Sequence, residues 1–437
     1  MFSIFFYSWG GPKFIFAILA TTFIDFFLVN AMHETKKLSS KRVFLIFSLS
    51  INLGLLFYFK YCNFFIDNVN SLFGLDVSIV KIILPIGISF YTFESITYVV
   101  DVYRGVHKPL KSFIHYQTYI LLFPKLIAGP IVRYHEIADQ ITNREKNYTA
   151  DVKLSGFLIF CIGLAKKVII ANTLGMQADL VFKLPIEDIN TIVAWVGAVA
   201  YTFQIYFDFS GYSDMAIGLC KIMGFRIPEN FNNPYTATSI TDFWRRWHIT
   251  LGSWMKNYLY VPLGGNKVGS VKLYRNLIIV FLLSGFWHGA SWNFVLWGAF
   301  HGAFLVLERL FLGNIFEKLG KYVSVVITFI IVITGWVLFR NENTAYAFQV
   351  VKQMYSFNFS SSKFALNNDF ICMAITALFF SWFTLTKPTL SIQQKVYGES
   401  FSSNGKWLAL IGGIVLYYVS LSYISALDFN PFIYFRF

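Results

Sequence analysis

Apolar runs long enough to cross a bilayer recur along this chain, and no other feature constrains its fold as strongly. A spanning helix needs ~20 mostly apolar residues. Runs of that kind lie near 13–32, 43–61, 79–100, 154–172, 191–209, 276–296, 296–312, 322–340, 370–386 and 407–427. Weaker apolar material lies at 3–12, 113–132 and 211–224. Of 437 residues, 56% are hydrophobic and 14% charged, where a soluble domain carries ~25% charged residues. The chain is therefore a polytopic integral membrane protein. A soluble enzyme with one anchor, a disordered chain and a secreted disulfide scaffold are all excluded. The expected fold is all-α, a single membrane domain over 1–437 with about ten or eleven spans plus re-entrant and interfacial helices.

The charges fall between the apolar runs. Lys and Arg exceed Asp and Glu by 36 to 23, which in a soluble protein would suggest nucleic acid; here it fits cytoplasmic loops, and no nucleic-acid partner is expected. Lys36, Lys37, Lys41 and Arg42 share one loop, Arg104, Lys108 and Lys111 a second, and Lys387, Lys395 and Lys406 a third. Loop 62–78 holds Asp67 and Asp76 and no basic residue. The positive-inside rule then puts both termini on the outer side of the membrane, the first helix acting as an uncleaved insertion signal. Cys62, Cys161, Cys220 and Cys372 stand singly, without metal-ligand spacing, so no metal site is expected. Segment 113–132 carries His115, Gln117, Pro124, Lys125, Gly129 and Pro130. A straight lipid-facing helix would not tolerate these, whereas a re-entrant or protein-buried segment would.

Polar groups inside apolar segments mark candidate sites, and they concentrate in 200–302. YFDFSGYSDMAIG (206–218) embeds Asp208, Ser210, Ser213 and Asp214, either as packing ion pairs or as part of a site. In 230–266, Ser239 or Thr241 can cap a helix starting near Asp242. Trp244, Trp247, His248, Leu251, Trp254, Met255, Tyr258 and Leu259 then recur at helical spacing, with Arg245, Arg246 and Lys256 on other faces. This pattern predicts one amphipathic helix at the membrane interface. LLSGFWHGASWNFVLWGAFHG (282–302) places His288 and His301 among small residues that allow close helix approach or leave room for a channel. A buried neutral imidazole suits proton transfer near neutral pH.

These pieces resemble the membrane-bound O-acyltransferase family, in its alginate O-acetyltransferase branch. The matching stretches are LPIGISFYTFESITYVVDVYRG (84–105), FPKLIAGPIVRYHEI (123–137), FQIYFDFSGYSDMAIG (203–218), NFNNPY with DFWRRWHITLGSWMKNYLYVPLGGN (230–266), GFWHGASWNFVLWGAFHG (285–302), GWVLFR (335–340) and the terminal FIYFRF (432–437). The resemblance implies helices around a funnel or tunnel crossing the membrane, with a catalytic core over 84–302. It implies that His288 is the essential catalytic histidine and His248 a second, tunnel-lining one. Asp242, Trp244, Arg245 and Trp287 would shape the tunnel or bind substrate, and His301 would support them.

Acyl transfer from a thioester needs a hydroxyl nucleophile, a base and a water-poor site. The resemblance supplies the substrates: acetyl-CoA as cytosolic donor with no bound cofactor, and an extracytoplasmic polysaccharide as acceptor. Tyr434, within a C-terminal tyrosine motif at 428–437, would relay the acyl group to a serine hydrolase-like partner outside, or else serve as an aromatic anchor. Two other readings stay open: D-alanyl transfer to teichoic acid from a carrier-protein thioester, and a proton-coupled transporter built on the buried Asp and His.

Overall fold

The computed structural model describes residues 1–360, 364–426 and 431–432, apart from the Lys146 side chain; Tyr434 lies outside the described residues. Those residues form helices and turns, with no strand among them. Nine helices among them are long and apolar enough to cross a membrane: Phe14–Glu34, Leu38–Phe73, Ala150–Val181, Thr191–Ile222, Ser270–His288, Trp292–Leu319, Lys321–Arg340, Asn368–Leu385 and Ser403–Ala426. The protein is thus an all-α, multi-pass membrane protein. Its outer helices expose side chains such as Phe16, Phe23, Ile411 and Val415, the composition that faces lipid.

Nine such helices among the described residues accord with the polytopic all-α fold expected, and one of the expected runs forms a shorter helix. Pro85 and Gly87 cut the run at 79–100, leaving Ile88–Tyr103 with 16 residues. That is ~24 Å of helix, short of a ~30 Å hydrocarbon core. Gly87 begins the helix in the left-handed region at φ 75°. A Cβ there would also strike the Leu126 carbonyl oxygen at 2.5 Å, so glycine is required twice over.

Two compact units divide the chain: Met1–Thr149 with Cys220–Pro228, and Ala150–Leu219 with Glu229–Phe437. In the first, segment 113–132 is broken into short helices, Phe113–Leu121 and Phe123–Leu126, and is held by protein as its prolines and glycine predict. Lys125, fully buried, pairs with buried Glu94. The other Glu94 oxygen accepts from the Val132 amide at 3.2 Å, and Tyr119 donates to the Val132 carbonyl at 2.8 Å. Irregular backbone survives at this depth because side chains satisfy it.

The second unit is organised by Thr191–Ile222, the most buried of the nine spans. It packs against Ala150–Val181 at van der Waals limits: a Cβ on Gly163 would meet Gly211 O at 2.5 Å, and one on Gly218 would meet Gly156 O at 2.5 Å. Such small-residue seams bring helix backbones together in lipid. The closeness lets two lysines of the π-helical turn Lys166–Ala171 reach the opposing carboxylates. Lys167 pairs with Asp208, and Lys166 with Asp214 at 2.7 Å. Of the two readings open for these aspartates, the structure therefore shows the ion pairs.

Candidate active site

The stretch 230–266 departs from the single amphipathic helix expected of it. Ser239 does cap a helix, accepting from the Asp242 amide at 3.2 Å, but that helix, Ile240–Arg246, is seven residues long and a second follows at Ile249–Met255. The break falls on His248, which adopts φ 46° and ψ 53°. Non-glycine residues seldom occupy this left-handed region, and where they do a specific contact holds them. Trp247 and Trp254 are buried in protein, at 3% and 8% exposure, rather than laid out on a surface.

The contact that holds His248 is Asn230. The His248 Nδ1 lies 3.1 Å from Asn230 Oδ1. That same oxygen accepts from Thr250 Oγ at 2.8 Å and from the Thr250 amide at 3.3 Å, while Asn230 Nδ2 donates to Ser213 Oγ at 3.3 Å. The Thr250 amide can only donate, so the Asn230 atom facing it is the oxygen, and His248 Nδ1 must carry the proton it donates there. The lone pair is left on Nε2, which has no hydrogen-bond partner among the described residues. Burial pushes the His248 pKa down to about 3, keeping the ring neutral. The result is a base with a fixed tautomer.

His248 lines a cavity of about 350 Å³ together with Trp244, Trp247, Ser284 and Phe281. Arg245, Lys256 and Arg309 also line it, so its lining carries three cations. Arg246 is instead tied to Asp242 at 2.9 Å, and Asp242 accepts from the Thr238 amide at 3.2 Å. Asp242 thus braces the turn that carries Trp244 and Arg245.

The catalytic histidine named by the resemblance, His288, ends the helix Ser270–His288 and is 7% exposed. Its ring lies 5.0 Å from Trp287, 5.3 Å from Trp297 and 5.2 Å from Phe339. Trp287 also contacts His248, at 6.0 Å between centroids, so one indole bridges the two histidines. On the other side Trp297 contacts His301 at 5.1 Å, and Trp244 closes the group with 4.9 Å to His301 and 5.4 Å to Trp297. The helix pair that carries these residues is held by glycine contacts: a Cβ on Gly285 or Gly298 would collide with the Phe294 or Phe281 carbonyl oxygen.

His248, His288, His301, Trp244 and Trp287 are thereby brought into one aromatic cluster beside a cationic cavity. Residues 104–318, which include this cluster, match the sequence profile of MBOAT, the membrane-bound O-acyltransferase family. The chain is 38% identical over 455 residues to the probable alginate O-acetylase AlgI of Pseudomonas putida, covering 99% of this chain and 92% of that one. The chain belongs to the membrane-bound O-acyltransferase family. A peptidoglycan O-acetyltransferase of Helicobacter pylori is 38% identical over 384 residues, 82% of this chain and 73% of its own. A teichoic acid D-alanyltransferase of Bacillus subtilis is 28% identical over 283 residues, 59% of this chain and 69% of its own. The protein is accordingly an O-acyltransferase. Within this family member, Asn230, Thr250 and Arg309 were not singled out by sequence; Asn230 stands in the quoted NFNNPY motif, and Arg309 just beyond the polar stretch.

Proposed function

We propose that this protein takes an acetyl group from cytosolic acetyl-CoA and passes it across the bacterial inner membrane for O-acetylation of an extracytoplasmic polysaccharide. The supporting observation is His248: a base with its tautomer fixed by Asn230, lining a cavity whose wall carries Arg245, Lys256 and Arg309. Those cations suit the phosphates of an acyl-CoA. His288 takes the proton of the attacking hydroxyl as the oxygen bonds to the thioester carbon. The carbon–sulfur bond breaks, and the proton taken by His288 passes by way of the His248 Nε2 lone pair to the departing CoA thiolate, which leaves both imidazoles neutral. Trp244 and Trp287 keep the passage dry, which limits hydrolysis. Asp242 holds the turn, and the chain acts as one membrane domain with both termini outside. Tyr434 is the first acceptor, and a serine hydrolase-like partner moves the acyl group from its phenol to the sugar.

The more similar relatives are named as polysaccharide O-acetylating proteins, which favours an acetyl donor over D-alanyl transfer. The test is incorporation of radiolabelled acetyl groups from acetyl-CoA into polymer by membranes carrying wild type, His288→Ala or Tyr434→Phe. Labelling by wild type alone supports the reading. Labelling by His288→Ala equal to wild type overturns the catalytic assignment, and full labelling by Tyr434→Phe removes the relay. Gradient-driven solute flux with no acyl transfer by any of them would make the protein a transporter.

A further inference from the structure

Lys167 and Asp208 lie deep within their helices. Asp208 is 17 residues from Thr191 and 14 from Ile222 in a 32-residue helix, so it sits ~26 Å and ~21 Å from the two ends. Both partners are buried, Lys167 at 5% and Asp208 at 2%. An ammonium group has three protons to donate, and the carboxylate receives one. Another goes to the carbonyl oxygen of Pro431, 3.1 Å away, near the very end of the chain. The next residue, Phe432, lies with its ring centroid 4.8 Å from Lys167 Nζ and meets the Tyr212 ring edge-on at 4.7 Å. A hydrogen bond, a cation–π contact and an aromatic contact thus converge on the two described residues of the C-terminal motif.

This arrangement adjoins the histidine site. Phe209, one residue after Asp208, packs edge-on against His248 at 4.8 Å. Ser213, one residue after Tyr212, receives the hydrogen bond of Asn230 that orients the same histidine. One stretch of helix, 208–213, therefore touches the C-terminal motif through Tyr212, holds Lys167 against that motif through Asp208, and meets the His248 network through Phe209 and Ser213.

We infer that Lys167, Asp208 and Tyr212 form a seat for the protein's own C-terminal residues, and that this seat positions residue 434 for acyl transfer. Two residues of chain span at most ~7 Å, so whatever fixes Phe432 governs how far the phenol at 434 can travel. The positioning role rests on the relay reading above, whereas the seat itself does not. Lys167, Asp208 and Tyr212 act here as positioning residues.

The seat is tested by maleimide labelling of a Phe435→Cys protein in permeabilised membranes, with Cys62 and Cys372 replaced by Ser, alongside acetyl transfer. Phe432→Ala alters only the tail and leaves the membrane helices intact, while Lys167→Met with Asp208→Asn removes the pair without stranding either charge. Each is expected to speed labelling ~10-fold or more, the scale set by losing a charge-assisted bond or a cation–π contact, and to lower acetyl transfer. Phe432→Tyr, which keeps the ring, is expected to retain slow labelling and full transfer. Labelling unchanged by both disruptive variants overturns the seat, even if Tyr434→Phe proves inactive. Faster labelling together with a fully active Tyr434→Phe keeps the seat and removes the relay.

Discussion

Replacing Asn230 with Leu removes the amide that sets the His248 tautomer and keeps a similar volume. Three hydrogen bonds converge on its oxygen, from His248 Nδ1 and from the amide and hydroxyl of Thr250. The backbone carbonyl of residue 230 still accepts from the Ile249 amide at 2.9 Å, so the turn itself is retained. Losing the His248 bond frees the proton to sit on either ring nitrogen. A bond of this kind contributes ~0.5–1.5 kcal/mol, which at ~1.4 kcal/mol per factor of ten lowers kcat about 2- to 13-fold. KM for acetyl-CoA should stay the same, because Arg245, Lys256 and Arg309 are untouched. The orphaned Thr250 donors cost about 1–3 kcal/mol each in stability, so rates are compared per mole of monodisperse protein after detergent size exclusion. The assay is CoA release from acetyl-CoA by purified protein supplied with its acceptor. A folded Asn230→Leu protein with wild-type kcat would refute the claim that the Nε2 lone pair matters to the chemistry.

Three further outcomes follow from the same geometry. Asn230→Asp puts a carboxylate against the imidazole, which favours the imidazolium and raises the His248 pKa; since the base form is lost as pH falls through that pKa, the acid limb of kcat/KM should move to higher pH than in wild type, and an unmoved limb counts against His248 as a proton carrier. Arg309→Gln and Lys256→Gln should each raise KM for acetyl-CoA several-fold at ~1 kcal/mol per lost phosphate contact with kcat preserved, and a kcat loss at constant KM would contradict a donor-binding role. Gly298→Ala pushes a methyl into the Phe281 carbonyl and should cost about 1–3 kcal/mol, read as a lower thermal midpoint in detergent; an unchanged midpoint would mean the two helices do not pack this closely.

The spans were legible because burying ~20 apolar residues in hydrocarbon is a local property of the sequence. The breaks at Pro85 and Gly87 and in 113–132 were equally local. His248 shows where that legibility ends. The heptad-like spacing of Trp244, Trp247, Leu251 and Trp254 reads as one helix, and only the contact with Asn230, eighteen residues earlier, turns the backbone into the left-handed region. Lys166 and Lys167 look like the basic end of a span, yet glycine seams carry them against Asp214 and Asp208. The histidines and tryptophans of the site were found by motif, whereas the residues that orient them belong to tertiary packing.

The most direct measurement of the account is transbilayer transfer in proteoliposomes, with radiolabelled acetyl-CoA supplied on the face bearing Arg245, Lys256 and Arg309 and acceptor polysaccharide with its partner enzyme on the opposite face. Wild-type protein is predicted to place the label on polymer across the membrane, and His288→Ala to leave it on CoA. Equal transfer by His288→Ala, or label that reaches only acceptors on the donor face, would contradict it.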